Sequence, residues 1–299
     1  PSGIGRPLFA RYQLEGDNSI TTQVARMNLN THWCDNTSRD CRPGGIALGS
    51  RGLLQNPSVY VINRYYQADP TQQGWSKAIT KIDVNGNADS NWPGLWWYNV
   101  DGPSGPHRDW AVDIAVRTVG LGTPESPYVD TVFVASEIDR ACGNGVAVAR
   151  FDSNHNPSGT LIFGGSNTSI ISLCDLSGRP TDYPIDMAIS GDRLAVVGRG
   201  TVNSSTAGAE ASEDGWVAIL NSGTGSFGLR DFRDYRYPMG GTRSRHSGFY
   251  GVVATTAGKF VVTGDNRFTQ NEPTATLRGK RSVAILGVAS DRIFGHGLE

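Results

Sequence analysis

Val146-Ala147-Val148-Ala149-Arg150-Phe151-Asp152-Ser153-Asn154 is the stretch on which the fold turns. It is a run of small and β-branched apolar residues that stops at an Asp-Ser-Asn turn, the composition of a short strand. Its centre, Val148 to Asp152, recurs column for column as Val24-Ala25-Arg26-Met27-Asn28, Ile79-Thr80-Lys81-Ile82-Asp83, Val217-Ala218-Ile219-Leu220-Asn221 and Val283-Ala284-Ile285-Leu286-Gly287. Self-similarity of this kind marks a repeat architecture. A second set of mostly continuous apolar runs precedes each: Leu8 to Tyr12, Val59 to Asn63, Val132 to Ser136, Leu194 to Gly198 and Phe260 to Gly264. Such runs suit strands covered on both faces. A third set precedes the last four: Ile46-Ala47-Leu48, Val112-Asp113-Ile114-Ala115, Ile185-Asp186-Met187-Ala188 and Val252-Val253-Ala254. Tight-turn signals such as Ser190-Gly191-Asp192 and Ala257-Gly258-Lys259 separate the third set from the second. A weaker fourth strand follows at Gly159 to Gly165, Phe227 to Phe232 and Arg292 to Gly295.

The unit is therefore four strands, A to D, used about five times. Tandem four-stranded units predict an all-β chain, a single β-propeller over residues 1–299 with five blades of four-stranded antiparallel sheets. The blades fall at about 1–45, 46–110, 111–183, 184–247 and 248–299. A β-sandwich would not need this recurrence. The first unit shows no strand A, so either a segment upstream of Pro1 or the stretch from Ser290 supplies it and closes the ring. Composition agrees with strands and turns. The only lysines are Lys77, Lys81, Lys259 and Lys280, and glutamate is nearly as scarce, whereas there are 38 Gly. Surface helices are built from Lys, Glu and Ala, so helical bundles and doubly wound α/β folds are excluded. A net charge of −1 argues against a nucleic-acid partner, and there is no apolar run long enough for a spanning helix.

Cys34, Cys41, Cys142 and Cys174 are an even set in a Gly/Asn/Thr-rich chain, which predicts disulfides and a secreted, periplasmic or cell-surface protein. Pairs Cys34–Cys41 and Cys142–Cys174 are favoured among the three pairings, since each brackets a short polar segment. Metal binding by these cysteines is disfavoured by the lack of a C-x-x-C or helical H-x-x-x-H. The chain opens Pro1-Ser2-Gly3 without Met, as expected of a processed or truncated product.

Thr131-Val132-Phe133-Val134-Ala135, Val146 to Asn154 and Gly159-Thr160-Leu161-Ile162-Phe163-Gly164-Gly165 together resemble the delta-sixty repeat of bacterial exported β-propellers. The resemblance covers most of the chain in degenerate form and is clearest from residue 111 to 295. The tail Phe294-Gly295-His296-Gly297-Leu298-Glu299 is similar to the Phe-x-x-Gly-Phe-Glu tails of exported gammaproteobacterial proteins, with Leu298 in place of the usual Phe. The resemblance implies a fold and an exported location. It implies no catalytic residues.

Candidate chemistry lies where the pattern is interrupted. Long connections are expected at about 64–76, 99–110, 138–145, 165–184, 199–215, 238–249 and 265–280, gathered on one face, where binding usually resides. His107, Arg108, Asp109, Asp182, Arg245 and His246 all lie just before strand A, and converging on a funnel they would form an acid/base and oxyanion-stabilising cluster. The competing account, favoured because the aspartates recur with the repeat, is that they hold turns and tie adjacent blades. Tyr65, Tyr66, Trp75, Trp110 and Tyr183 are the candidate ligand-binding aromatics, because sugar C–H faces stack on exposed rings. Trp96 and Trp97 are better explained by packing between blades. Asp83, Asn85, Asn87 and Asp89 alternate oxygen side chains as a calcium loop does, without the distal Glu of an EF-hand, and turn chemistry explains them as well. No cofactor is implied beyond that calcium, and a four-His metal centre would consume nearly every one of the 5 histidines.

No G-x-S-x-G, Walker or dinucleotide motif occurs, which weighs against an enzyme. Three functions follow: a binding module for a glycan or protein through the long-connection face, a funnel hydrolase or lyase on an extracellular polymer, or a structural surface module.

Overall fold

The structure, a computed structural model, describes residues 8–14, 20–28, 41–51, 57–67, 74–83, 96–98, 107–108, 110–120, 123–126, 128–140, 143–152, 169–171, 181–202, 212–223, 227–231, 245–256, 258–268 and 278–286. Among them there is no helix; the fold is all-β, in small antiparallel sheets. The chain divides into two compact units, Pro1–Ile138 with Arg150–Leu161, and Asp139–Ala149 with Ile162–Glu299.

In the first unit, β1 (Leu8–Leu14) and β2 (Ile20–Asn28) form an antiparallel pair. β3 (Cys41–Arg51), β4 (Pro57–Gln67), β5 (Gly74–Ile82) and β6 (Trp96–Tyr98) are the four strands of one sheet in chain order, and β7 (His107–Arg108) adds to β5 in parallel. β8 (Trp110–Val119) pairs with β9 (Val129–Arg140). The second unit holds most of β10 (Gly143–Asp152), with β11 (Ser169–Ile171) along it. It continues through β12 (Thr181–Ser190), β13 (Arg193–Val202), β14 (Ser212–Asn221) and β15 (Phe227–Asp231), then β16 (Arg245–Ala254), β17 (Phe260–Phe268) and β18 (Arg278–Leu286).

Two backbone details recur among the described strands. The hairpins β3–β4, β8–β9, β12–β13 and β16–β17 each carry a bulge at the same place, between Pro43 and Gly45, Ala111 and Asp113, Pro184 and Asp186, and Phe249 and Gly251, and β3–β4 has a second irregularity between Leu48 and Arg51. A bulge bends its strand and increases its local twist. A second device recurs at a fixed distance before the bulge. The start of a C strand makes a parallel bridge to the start of the next A strand, pairing Trp75 with Arg108, Asn144 with Thr181, and Glu213 with His246.

Among the described residues, most of the buried apolar side chains come from the B and C columns. Val59 to Ile62, Ile79 and Ile82 are buried in the first unit together with Val132 to Ala135. In the second, Ala195, Val197, Val217, Ile219, Phe249, Val252, Phe260 and Val262 form one cluster. One polar network is built into the first core. Asp130, 2% exposed, accepts hydrogen bonds from Tyr60 Oη at 2.9 Å and Thr118 Oγ1 at 2.7 Å. Tyr60→Phe deletes a donor to a buried carboxylate, so it is expected to destabilise by about 1–3 kcal/mol. Urea unfolding checks this; an unchanged midpoint would remove the network from the stabilising contacts.

Several polar segments differ from their sequence-based reading. Tyr65, Tyr66, Trp75, Asp182, Tyr183, Arg245 and His246 are in strands. Ladder hydrogen bonds run through the backbone, so strands extend past the last apolar side chain into polar sequence. Trp96 and Trp97 belong to the fourth strand of their sheet. The fourth strand after β10 is Ser169–Ile171, while residues 159–165 lie outside the described residues.

Candidate functional site

The best-defined concentration of chemistry lies in the first unit, at the end where A strands begin and B strands finish. Along β4, Asn63, Arg64, Tyr65 and Tyr66 follow one another, and the ladders set partners beside them. Arg42 of β3 is opposite Arg64, and Tyr66 is opposite Trp75 of β5, which in turn bridges Arg108 of β7. Tyr66, Trp75 and Arg108 thus occupy one row across three strands, and Gln67, Gly74 and His107 occupy the next. On β8, Trp110 is opposite Glu137 of β9.

Side-chain geometry is defined for Arg42, Asn63, Arg64, Trp110, Ser136 and Glu137. The Arg64 guanidinium lies over the Trp110 ring, 4.5 Å from its centroid, a cation–π contact. Burial pushes the Arg64 pKa below its ordinary value, the Arg42 charge adds to that, and the Glu137 carboxylate opposes it. Arg64 Nε, Asn63 Oδ1 and Ser136 Oγ are buried without a hydrogen-bond partner among the described residues. This end of the unit therefore holds cationic and polar groups in a partly dry setting, flanked by an indole.

The second unit shows the same theme in simpler form. Tyr183 stands at the repeat position of Trp110, and Arg199, its ladder partner, lies 5.5 Å from its ring centroid. At Trp110 the ladder partner is Glu137, and the cation comes from β4 instead.

The recurring A-strand aspartate has a defined structural task in the second unit. Asp186 Oδ1 accepts from the Met187 backbone N–H at 2.9 Å, and Oδ2 accepts from the Val252 N–H of β16 at 2.7 Å. In the first unit, a β-carbon on Gly45 of β3 would stand 2.7 Å from Asp113 Oδ1. Adjacent A strands are thus fitted to one another around a carboxylate, with glycine on the receiving strand.

The other sequence candidates fall as follows. His107 and Arg108 are brought beside Gly74 and Trp75 by the backbone of β7. Asp182 is opposite Gly200, and Arg245 and His246 are opposite Phe268 and Arg267. His246 bridges Glu213, which joins an acid and a histidine at one register position. Asp109 lies outside the described residues, as do Asn85, Asn87, Asp89, Cys34, Cys142 and Cys174. Asp83 follows the end of β5, and Cys41 opens β3 opposite Tyr65. Among the described residues no group of three or more His, Cys, Asp or Glu side chains is placed to hold a metal ion, and no helix is long and apolar enough to cross a membrane.

Arg42, Arg64 and Glu137 were not among the sequence candidates. The signal for Arg64 was present in the repeat: it stands in the B-strand column of Arg199, the residue that covers Tyr183. No protein-family model matches the chain, and no curated protein sequence matches it.

Proposed function

We propose that the chain is an exported β-propeller that acts as a binding module, taking a glycan at the end of the first unit where β4, β5, β7 and β8 bring their aromatic and cationic residues together. The observation that carries this reading is the row Tyr66–Trp75–Arg108, next to Arg64 stacked on Trp110. Sugars present apolar C–H faces and hydroxyl edges at once, and aromatic rings beside arginine donors suit both. The recurring bulges and parallel bridges support a blade-by-blade construction, with the variable strand ends left to bind.

Titrating the protein with a panel of neutral and acidic oligosaccharides tests it. At least one is expected to bind, and Trp75→Ala is expected to weaken it about tenfold or more while leaving the unfolding midpoint near that of the parent. Failure of every oligosaccharide, or full affinity in Trp75→Ala, would overturn the reading; capture of a protein partner by the same face would replace it.

A further inference from the structure

We propose that the ligand is a linear, equatorially linked glycan of the β-1,4 type, and that three consecutive pyranose residues lie across the strands along Tyr66, Trp75 and Arg108. This rests on the glycan reading and adds the shape of the sugar chain. Three observations carry it.

The first is direction. Positions two apart in a strand share a sheet face, which puts Arg64 with Tyr66 on β4 and Lys77 with Trp75 on β5. At this end of the face each of the two strands supplies one aromatic residue. The aromatic positions adjoin only across the ladder, where Tyr66 is directly opposite Trp75. A ligand that uses both therefore runs across the strands and not along them.

The second is spacing. Directly opposite positions of neighbouring strands are about 5 Å apart, close to the length that one pyranose takes up in a fully extended chain. Trp75 bridges Arg108 in the same row, so β4, β5 and β7 offer three such positions in succession. Equatorial linkage at both ends of each ring gives a straight, flat ribbon that can follow this row. Axial linkage coils the chain, and a coil meets a straight row over fewer rings.

The third is the next row on the same face. Arg64 is opposite Lys77, and Lys77 is opposite Tyr98 of β6. Donor-bearing residues thus run parallel to the first row, about 7 Å from it along the strands. A sugar ribbon carries C–H groups on its flat faces and hydroxyls along its edges, so it calls for rings beneath and donors beside it. Arg64 is stacked on Trp110, which holds the plane of one of those donors.

A chain-length series separates the two levels of the argument. β-1,4-linked gluco-, manno- and xylo-oligosaccharides of increasing length are titrated by calorimetry against α-1,4-linked gluco-oligosaccharides of the same lengths. At least one β-1,4 series is expected to bind, its affinity rising about 2- to 10-fold from disaccharide to trisaccharide and levelling off thereafter. Arg108→Ala is expected to erase that step, and Trp75→Ala, at the middle of the row, to weaken every length. Tyr66→Ala, at the other end of the row, serves if Arg108→Ala does not fold, and is expected to erase the same step. Preference for the α-1,4 series, binding confined to another glycan class, equal affinity for disaccharide and trisaccharide, or a step that survives in both end variants would overturn this inference while leaving the glycan reading intact. Silence of every oligosaccharide, acidic ones included, would overturn both.

Discussion

Gly198→Ala is expected to destabilise the second unit by about 3 kcal/mol or more, at the upper end of what overpacking costs. A β-carbon at Gly198 would run into the backbone carbonyl of Tyr183 and would stand 2.6 Å from Trp216 Cζ2. Backbone cannot swing aside as a side-chain tip can, so β12 and β13 would have to part, and their ladder runs unbroken from Asp186 to Ser190 beside this point. The repeat supplies an internal duplicate: a β-carbon on Gly264 would meet the Gly248 carbonyl in the same way, one hairpin later. Both collisions arise where the A strand bulges, because the bulge carries its carbonyl towards the B strand.

Gly191→Ala is the useful comparison. Gly191 has φ +58°, in the two-residue turn between Ser190 and Arg193, and a β-carbon there would meet nothing within 4 Å. Its cost is conformational alone, about 1–2 kcal/mol. Denaturant unfolding of the three variants should rank Gly198→Ala and Gly264→Ala well below Gly191→Ala. The reverse order would mean that the strands do not approach as described.

Trp216→Ala is expected to cost about 3–5 kcal/mol, the range for deleting a large buried aromatic side chain. Trp216 is fully buried, lies opposite Gly198 in the β13–β14 ladder, and touches the space that Gly198 leaves open. Its Nε1 has no hydrogen-bond partner among the described residues. The indole is therefore held by shape and not by polarity. Trp216→Phe removes that unpartnered donor and keeps most of the apolar volume, so it should retain well over half of the stability lost in Trp216→Ala. Circular dichroism through a urea transition reads both; near-equal losses would show that Nε1 is satisfied in solution. Glycine and tryptophan act here as one unit, so the double variant Gly198→Ala/Trp216→Phe should be less damaging than the sum of its parts.

Much of the backbone was legible in the sequence. The Val-Ala-Arg-Phe-Asp columns name the C strands, and the turn at Ser190-Gly191-Asp192 is where β12 and β13 join. Apolar pattern reports which strands are covered, because burial is what selects those side chains. Strand ends were not legible. Asp182, Tyr183, Arg245 and His246 read as connections, yet they extend β12 and β16, because the ladder needs no apolar side chain to continue.

The candidate site divides in the same way. Trp110, Tyr183, Tyr66 and Trp75 could be marked from the sequence as aromatics in polar surroundings. Arg64 and Arg42 could not, since arginine is common on any surface, and what distinguishes Arg64 is the ring beneath it.

What the sequence alone determines is the all-β character and the apolar runs that supply the described core. Each is written in local composition and periodicity, which every stretch of chain carries with it. Only the tertiary structure decides which residue stands across from which. Arg42 faces Arg64 across the β3–β4 ladder, Trp75 is joined to Arg108 through a parallel bridge, and Asp186 reaches the Val252 N–H from a distant part of the chain. Such pairings depend on register between strands, and a shift of one residue would send every side chain to the opposite face.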